Sequence, residues 1–435
     1  MKKSTFLVFF ILGLLAPARA FAQGNGNAAL DVDSLVREAV SHNPSLEAAR
    51  LDYRAASLMV KPAGALPDPM LEIGFMSLPL DTLSFSREDM TQKVIGVTQA
   101  FPFPGKRRLA GAVAQSEAEA TKLKVAVLEQ RLAFEVKKTF LEWAFAEESM
   151  DTTRHTMDDI AQLSEAAMAR YSVGAGAQWD ILSAQVERSK YDVKLSALRQ
   201  KIEGLKATMA GLLGRDSPAL SGMPAVKWTP AMSLNEAALI RRADDHNPEI
   251  AYLKTMAQRA EDTAKLARRE RYPNFSVNIS YGQRDNGAMN GETVKRPDFV
   301  SAMVGVEAPI YAGRKQGPAA ESAESASESV KKSLADRTLR LHAEIREKLA
   351  AIRRADEIEA LYRTGILPQA RTALSSAISG YRVGKVDFIT LITSRENLLA
   401  HELDYYEVRI GREINIAYLA MLLGETPERV VAPQQ

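Results

Sequence analysis

The stretches YSVGAGAQWDIL (171–182) and YRVGKVDFITLI (381–392) each place a Tyr-x-Val-Gly turn between long segments with helical patterning. They lie 210 residues apart (381 − 171) in a chain of 435 residues. A turn between two helices that recurs at such a distance indicates that one structural unit occurs twice.

Four further motif pairs occur in the same order in both halves of the chain. Their separation rises from 204 residues at the His-Asn-Pro motif (246 − 42) to 210 at the Leu-Leu-Gly motif (424 − 214), as loop insertions would produce. The ordered matches therefore predict an internal duplication. The pairs are SHNPSLEAA (41–49) with DHNPEIAYL (245–253), DPMLEIGF (68–75) with YPNFSVNIS (272–280), VIGVTQAFPFPGKRR (94–108) with MVGVEAPIYAGRK (303–315), and GLLG (211–214) with MLLG (421–424).

The N-terminal residues have the pattern of a secretory signal peptide. A basic start precedes the apolar run FLVFFILGLLA (6–16), and Ala20-Phe21-Ala22 resembles a cleavage site. We predict a signal peptide over 1–22 and an exported mature chain without a helical membrane span. The chain contains no cysteine, which excludes disulfides and lipid anchoring through cysteine. Its 56 basic and 54 acidic residues give no electrostatic case for binding nucleic acid.

The duplication divides the mature chain into two repeats, 23–230 and 231–435. Helical periodicity predicts helices far longer than the 8–20 residues usual in globular proteins. Gly365 and Pro368 interrupt only the second long helix and predict a kink there. The predicted elements are helices 32–62, 105–170 and 178–213 with strands 70–79 and 93–102, then helices 234–270, 313–380 and 386–423 with strands 273–283 and 298–310.

Between the helices, the hydrophobic period changes to two. Four segments have one apolar face and about the 9–11 residues that a membrane β-strand needs. The polar stretches 80–92 and 284–298 are expected to be their outer loops. Because four strands cannot close a barrel and open edges are forbidden in lipid, at least two copies must share one barrel. The alternating apolar residues include Leu71, Ile73, Phe75, Phe275, Val277, Ile279, Tyr281, Val300, Ala302, Val304 and Val306.

The helix lengths predict how each repeat is arranged. At 1.5 Å per residue, the helix over 105–170 is about 100 Å long, and the helices over 32–62 and 178–213 are each about 50 Å long. One long helix paired with two stacked short helices forms a hairpin column whose far tip is the Tyr-x-Val-Gly turn. The fold class is therefore mainly α, with two helical columns and four barrel strands in each chain.

These features together resemble the TolC-type family of outer-membrane efflux proteins. The resemblance covers essentially the whole mature chain and rests on the duplicated unit, the tips, the His-Asn-Pro motifs and the terminal Leu-Leu-Gly. It implies a homotrimer in the lipid of the Gram-negative outer membrane, with twelve shared strands and twelve helices that continue the pore to a closed periplasmic tip. It also implies two partners, a periplasmic adaptor and an inner-membrane pump of the resistance-nodulation-division type.

A narrower resemblance concerns the exported substrate. LPDPMLEIGF (66–75) and SFSREDMTQKVIGVTQAFPFPGKRR (84–108) are similar to members paired with copper/silver and cobalt–zinc–cadmium efflux pumps. The thioethers of Met70, Met76 and Met90 are soft ligands suited to Cu(I), but methionine is also a common filler of apolar surface. We expect no cofactor and no resident metal, because the five histidines lack metal-binding spacing.

The resemblance assigns adaptor docking to the two tips. The glycine of each Tyr-x-Val-Gly turn suits a positive φ or the close approach of another backbone. The alternative is an ordinary turn in a helical hairpin with no docking role. The docking residues implied are Tyr171, Val173, Gly174, Tyr381, Val383 and Gly384.

The resemblance also implies a periplasmic gate. The family links its tip helices through a tyrosine and an aspartate, which map onto Tyr381 and Asp180, and such phenol–carboxylate bonds are charge-assisted. Some members add an arginine and two aspartates, at positions that this sequence fills with Val386, Thr390 and Thr393. The sequence thus departs from an acidic ring at that height. Asp387 is nearby, either as a partial substitute or as a solvated charge.

A second set of residues is predicted to lie at the periplasmic membrane interface. Aromatic girdles flank barrel strands at this level, and basic residues that begin a helix oppose its macrodipole, which favours an interfacial reason for them. The set is Phe101, Phe103, Lys106, Arg107, Arg108 and Tyr311.

Three classes of function follow from these features. The leading one is a passive outer-membrane exit duct of a tripartite efflux system, and a type I secretion duct for proteins is its variant. A non-conducting periplasmic coiled-coil scaffold is the structural alternative, which the alternating strands disfavour because a scaffold needs none. An enzyme is not expected, because the sequence shows no catalytic triad order, paired-carboxylate signature or phosphate loop.

Overall fold

The two halves of the chain contain the same series of long helices and paired strands. The computed structural model describes residues 29–218, 220, 222–230, 234–289 and 292–426, so the predicted signal peptide lies outside the described residues. The first half contains β1 (Ala29–Leu30), α1 (Val32–His42), α2 (Pro44–Ala63), β2 (Met70–Met76), β3 (Gln92–Phe101), α3 (Lys106–Ser172) and α4 (Gln178–Leu213). The second half contains β4 (Met223–Pro224), α5 (Glu236–His246), α6 (Pro248–Arg269), β5 (Asn274–Gln283), β6 (Gly287–Met289), β7 (Glu292–Val294), β8 (Phe299–Glu307), α7 (Gln316–Leu361), a π segment (Tyr362–Ile366), α8 (Leu367–Arg382) and α9 (Phe388–Leu423).

An asparagine ends the first helix of each half and starts the next. Asn43 Oδ1 accepts hydrogen bonds from the backbone N–H groups of Ser45 and Leu46, and a proline follows at the first position of α2. Asn247 caps α6 in the same way. The predictions of single helices over 32–62 and 234–270 are therefore wrong, because an asparagine cap followed by proline favours a new helix start.

The same asparagines join distant helix ends. Asn43 Nδ2 donates to the Leu212 carbonyl oxygen at 2.9 Å, so the α1–α2 junction lies on the end of α4. Gly214 follows with a φ of 73°, and a Cβ there would lie 2.7 Å from the His42 carbonyl oxygen. The His-Asn-Pro and Leu-Leu-Gly motifs thus form one close backbone contact that requires glycine. The second half repeats it with Asn247, Leu422, Gly424 and His246.

The long helices run the length of each column. α3 has 67 residues and packs against both α2 and α4, which stack end to end beside it. Its rise makes it about 100 Å long. The counterpart predicted over 313–380 begins at Gln316 and is interrupted by the π segment, at the position of the predicted kink. Pro368 explains the interruption, because it cannot donate the backbone hydrogen bond of a regular α-helix.

Four strands form one antiparallel sheet in the order β2-β3-β5-β8. The register aligns Leu71, Val97 and Ile279 on one face, and Glu72 and Ser280 with the intervening Gly96 on the other. Successive side chains alternate between the faces. The sheet therefore has one apolar and one mainly polar face, as a membrane barrel requires.

β2 and β8 each end three residues earlier than predicted. β2 stops at Met76 because Ser77 has a φ of 54°, and β8 stops at Glu307, before Ala308 and Pro309. Proline cannot donate to a strand ladder. The predicted outer loop 284–298 contains the short antiparallel pair β6–β7.

A buried ion cluster holds the segment between the repeats. The guanidinium of Arg412, on α9, donates to Asp356 Oδ1 at 2.6 Å and to the carbonyl oxygens of Thr229 and Pro230 at 2.7 and 3.0 Å. Glu413 accepts a hydrogen bond from the Thr229 hydroxyl at 2.6 Å. Burial raises the pKa of Glu413. The linker is therefore fixed against the second column at mid-height.

The sheet leaves β2 and β8 as its edges, which yields a prediction about assembly. In lipid or detergent, each edge should pair with a strand from another copy, because unpaired backbone groups are costly there. We expect the purified protein to be a stable trimer with twelve shared strands, as measured by mass photometry or native mass spectrometry in detergent. A stable monomer would contradict the shared barrel, whereas a dimer would contradict only the number of copies.

Candidate functional site

The two Tyr-x-Val-Gly turns have the same backbone geometry. Gly174 and Gly384 have φ values of 73° and 74°. In the first turn, the Ala175 N–H bonds to the Arg170 carbonyl at 2.9 Å, and the Gly174 N–H bonds to Tyr171 O at 3.0 Å. This pattern, with a left-handed glycine after the last helical turn, is a helix C-cap that residues with a Cβ enter only with strain.

The structure exposes most of the residues that the resemblance assigns to docking. Val173 and Val383 are 76% and 68% exposed, and Tyr171 is 47% exposed. Gly174 and Gly384 are exposed beside them. Tyr381 differs, since only 3% of it is exposed. The exposed surface of the tips therefore contains valine and glycine at both turns but tyrosine at the first turn only.

The buried Tyr381 connects the two halves of the chain. Its hydroxyl donates to Asp180 Oδ2 at 3.1 Å, which joins the end of α8 to the first turn of α4. Burial, together with the Asp180 charge, raises the pKa of Tyr381 to about 12. The phenol therefore stays protonated at physiological pH and remains a donor. The structure thus brings together the two residues that the resemblance pairs.

Arg170 reinforces this contact, and the sequence analysis missed it. Its Nη1 donates to the Tyr381 carbonyl oxygen, its Nη2 donates to Ala175 O at 2.9 Å, and its Cζ lies 4.6 Å from the centroid of the Tyr381 ring. One guanidinium therefore binds both tips. The available signal was a difference between the repeats, because Arg170 corresponds to Gly380 (380 − 170 = 210).

An apolar cluster lies directly above these polar contacts. Phe388, which is 2% exposed, has its ring centroid 5.4 Å from that of Tyr381. The cluster contains residues of α3, α4, α8 and α9, and Ile160 and Leu391 are fully buried in it. Arg395 of α9 donates to Asp159 Oδ2 of α3 at 2.8 Å. The tip is thus a packed junction between the two columns.

The remaining predicted gate residues do not form an acidic group. Thr390 and Thr393 are exposed on α9. Asp387 caps that helix, and its Oδ1 accepts the Thr390 N–H at 2.8 Å. Hydrogen bonds from Thr390 lower the pKa of Asp387. Its carboxylate is therefore already engaged by its own helix.

At the opposite end of the column, Lys106 is buried rather than free at an interface. Its Nζ donates to Glu270 Oε2, the Tyr272 carbonyl oxygen and Asn274 Oδ1 at 3.0, 3.0 and 2.9 Å. These acceptors compensate a cation at the N-terminus of α3, where the helix dipole disfavours positive charge. Lys106 therefore joins α3 to β5.

The other predicted interface residues surround this junction. Phe103 stacks on Tyr272 with ring centroids 4.7 Å apart. Arg107 Nε donates to the Gly64 carbonyl oxygen at 3.0 Å, while Arg108 is exposed. Phe101 and Tyr311 are also exposed. The set therefore divides into residues that fix the junction and residues that face outward.

Within the described ranges, no group of three or more His, Asp or Glu side chains has an arrangement that holds a metal ion. In the same part of the chain, every helix is too short or too polar to cross a membrane.

Comparison with known proteins gives the family. The sequence matches the family described as Outer membrane efflux protein over residues 35–215 and 239–425. It is 22% identical over 385 residues to the cobalt-zinc-cadmium resistance protein CzcC of Cupriavidus metallidurans, covering 87% of this chain and 86% of that protein.

Solved structures share the fold. CusC, whose folding and transmembrane channel formation are accompanied by conformational changes, superposes with a TM-score of 0.77 at 15% identity, over 93% of this chain and 96% of CusC. The outer membrane protein VceC of Vibrio cholerae gives 0.75 at 18% identity, over 91% of this chain and 96% of VceC. The open state of the MtrE outer membrane channel of Neisseria gonorrhoeae gives 0.73 at 16% identity, over 91% and 89%.

The Tyr381–Asp180 contact yields a prediction about the tip. Tyr381→Phe removes the hydroxyl but keeps the ring against Phe388, so the fold should persist. Losing a hydrogen bond to a charged group costs about 1.5–3 kcal/mol, which shifts an equilibrium about tenfold or more. We expect a correspondingly larger open fraction in planar bilayers and greater vancomycin sensitivity in cells. Tyr171→Phe, at the exposed repeat mate, is the control. Equal conductance of both variants and the parent would contradict a tie at this contact.

Proposed function

The chain belongs to the outer membrane efflux protein family, and we propose that it is the passive exit duct of a tripartite efflux system. In this proposal, an inner-membrane pump and a periplasmic adaptor deliver the solute, and the duct carries it across the outer membrane. The observation that carries the proposal is the continuity of one chain from a sheet with an apolar face to helices about 100 Å long. The sheet suits the bilayer, and the helices suit the periplasm.

Three copies complete the duct in this proposal. Each contributes four strands and two columns, so twelve strands enclose the pore in the membrane and the columns extend it. The outer segments 80–92 and 284–298 face the exterior, and the tips lie deep in the periplasm. The exposed Val173 and Val383 give the adaptor an apolar contact at both tips.

For the cargo, we propose divalent heavy-metal ions. The support is the similarity to CzcC, whose name states resistance to cobalt, zinc and cadmium. The duct itself needs no metal site for this cargo, because selection belongs to the pump. Met70, Met76 and Met90 are all more than half exposed, consistent with apolar surface.

A deletion strain tests both duct and cargo. Loss of the gene should raise sensitivity to cobalt, zinc and cadmium more than to lipophilic drugs, and the parent gene should restore growth. Purified protein should conduct in planar bilayers. Drug sensitivity alone would overturn the metal cargo, a secreted protein retained in the deletion strain would favour the type I duct, and a lack of conductance would favour the scaffold.

The tip glycines test the docking role separately from the pore. Gly174→Asp and Gly384→Asp strain the turn and add bulk between the exposed valines, yet they lie about 100 Å of helix away from the sheet. We expect trimers that conduct but do not restore metal resistance. Gly204→Asp, at an exposed glycine of α4 with open space around it, is the matched control and should restore resistance. Full resistance with the tip variants would contradict docking at the turns.

A further inference from the structure

The second column contains a wide helical turn at Tyr362–Ile366. The Leu367 N–H bonds to the Tyr362 carbonyl oxygen, five residues back, instead of the usual four. The corresponding part of the first column lies within the uninterrupted helix α3. Wide turns of this kind usually accommodate one extra residue in an α-helix and occur often at functional sites.

On the N-terminal side of the wide turn, equivalent buried residues give the sequence separation between the two repeats. Ile345, Leu349 and Ile352 are buried at the inner side of α7. Their counterparts by packing in α3 are Val136, Phe140 and Trp143, which are equally buried. Each pair is separated by 209 residues (345 − 136, 349 − 140, 352 − 143).

On the C-terminal side of the wide turn, toward the tip, the sequence separation between equivalent residues is different. Ala377 and Ala167 are both buried in the tip cluster and lie 210 residues apart (377 − 167). The glycines of the two turns are also 210 residues apart (384 − 174). The second column therefore contains one residue more than the first between these levels. The π segment lies between them and takes up that residue.

Local chemistry fixes the wide turn at this place. In a regular α-helix, Pro368 would clash with the carbonyl group of Thr364, four residues earlier. The Thr364 hydroxyl donates to the Ala360 carbonyl oxygen at 2.8 Å, a contact that often bends helices. On the other side, the Tyr362 hydroxyl donates to Asp404 Oδ2 of α9 at 3.2 Å. The π segment is thus held to α9 by the Tyr362–Asp404 hydrogen bond, and the regular helical hydrogen bonding beside it is interrupted.

We propose that the π segment is the pivot on which α8 moves when the periplasmic tip opens. The inference rests on the proposed duct function and adds the element that moves. α8 has 16 residues, about 24 Å by helix rise, and it ends at Tyr381. A rotation at the pivot carries Tyr381 away from Asp180 and Arg170 while the core of α7 stays packed. α3 has no such turn, so the second tip moves relative to the first.

Deletion of the extra residue tests the pivot. Removing Gly365 gives the second column the residue count of the first, and Pro368→Ala in the same variant removes the clash. α7 and α8 can then form one α-helix with both packings retained. We expect a folded, closed trimer that fails to restore export. The decisive measurement adds Tyr381→Phe to this variant, in which the deletion should abolish the gain in conductance that Tyr381→Phe causes alone.

Gly365→Ala combined with Pro368→Ala is the matched control. It keeps the residue count, and the added Cβ meets no atom within 4 Å, so the variant should export like the parent. A second deletion, of Thr364 and again with Pro368→Ala, should behave like that of Gly365. The pivot would be overturned if the deletion variants export normally and if Tyr381→Phe raises the conductance as much with the deletion as without it. Failure of both deletions to assemble would overturn the assignment of one inserted residue. A parent that neither exports nor conducts would instead contradict the duct itself.

Discussion

A peptide group in hydrocarbon must be hydrogen-bonded within the protein, and the architecture depends on this constraint. One chain supplies a sheet with two free edges, so several copies have to close the barrel together. Closure then places the helices that follow each strand pair in a ring. In the proposed trimer, the duplication lets each copy supply two strand pairs and two columns, so the ring and the barrel have the same number of units.

The repeats agree where they pack and differ where they meet. The His-Asn-Pro and Leu-Leu-Gly contact has nearly the same geometry in both halves, because each column must close the same junction. At the tips, Arg170 corresponds to a glycine, and Tyr171 is exposed where Tyr381 is buried. Two identical hairpins would offer each other identical surfaces. These differences create a specific contact between them, as the proposed gate requires.

The sequence predicts features whose causes are local. Alternation in 273–283 indicated a strand because one face must be apolar, and glycine in each tip turn indicated the left-handed φ that the structure has. The Asn43 break was missed, although Asn-Pro is a local signal, because the apolar stripe continues across it. Arg170 and Arg412 could not be assigned, since their partners lie 211 and 183 residues away in the sequence. Pairing at such separations is set by the assembled columns.

In the proposed opening movement, buried polar contacts keep most of the second column fixed, and α8 moves on the π segment. At the membrane end, buried Lys106 bonds to three acceptors and holds α3 to the sheet. At mid-height, Arg412 and Asn247 hold the linker and the helix ends. Among the described helices, the π segment lies below these anchors, toward the tip. Movement above it would break buried ion pairs, which is costly. Below it, the proposed movement of α8 separates Tyr381 from Asp180 and Arg170 and leaves these anchors in place.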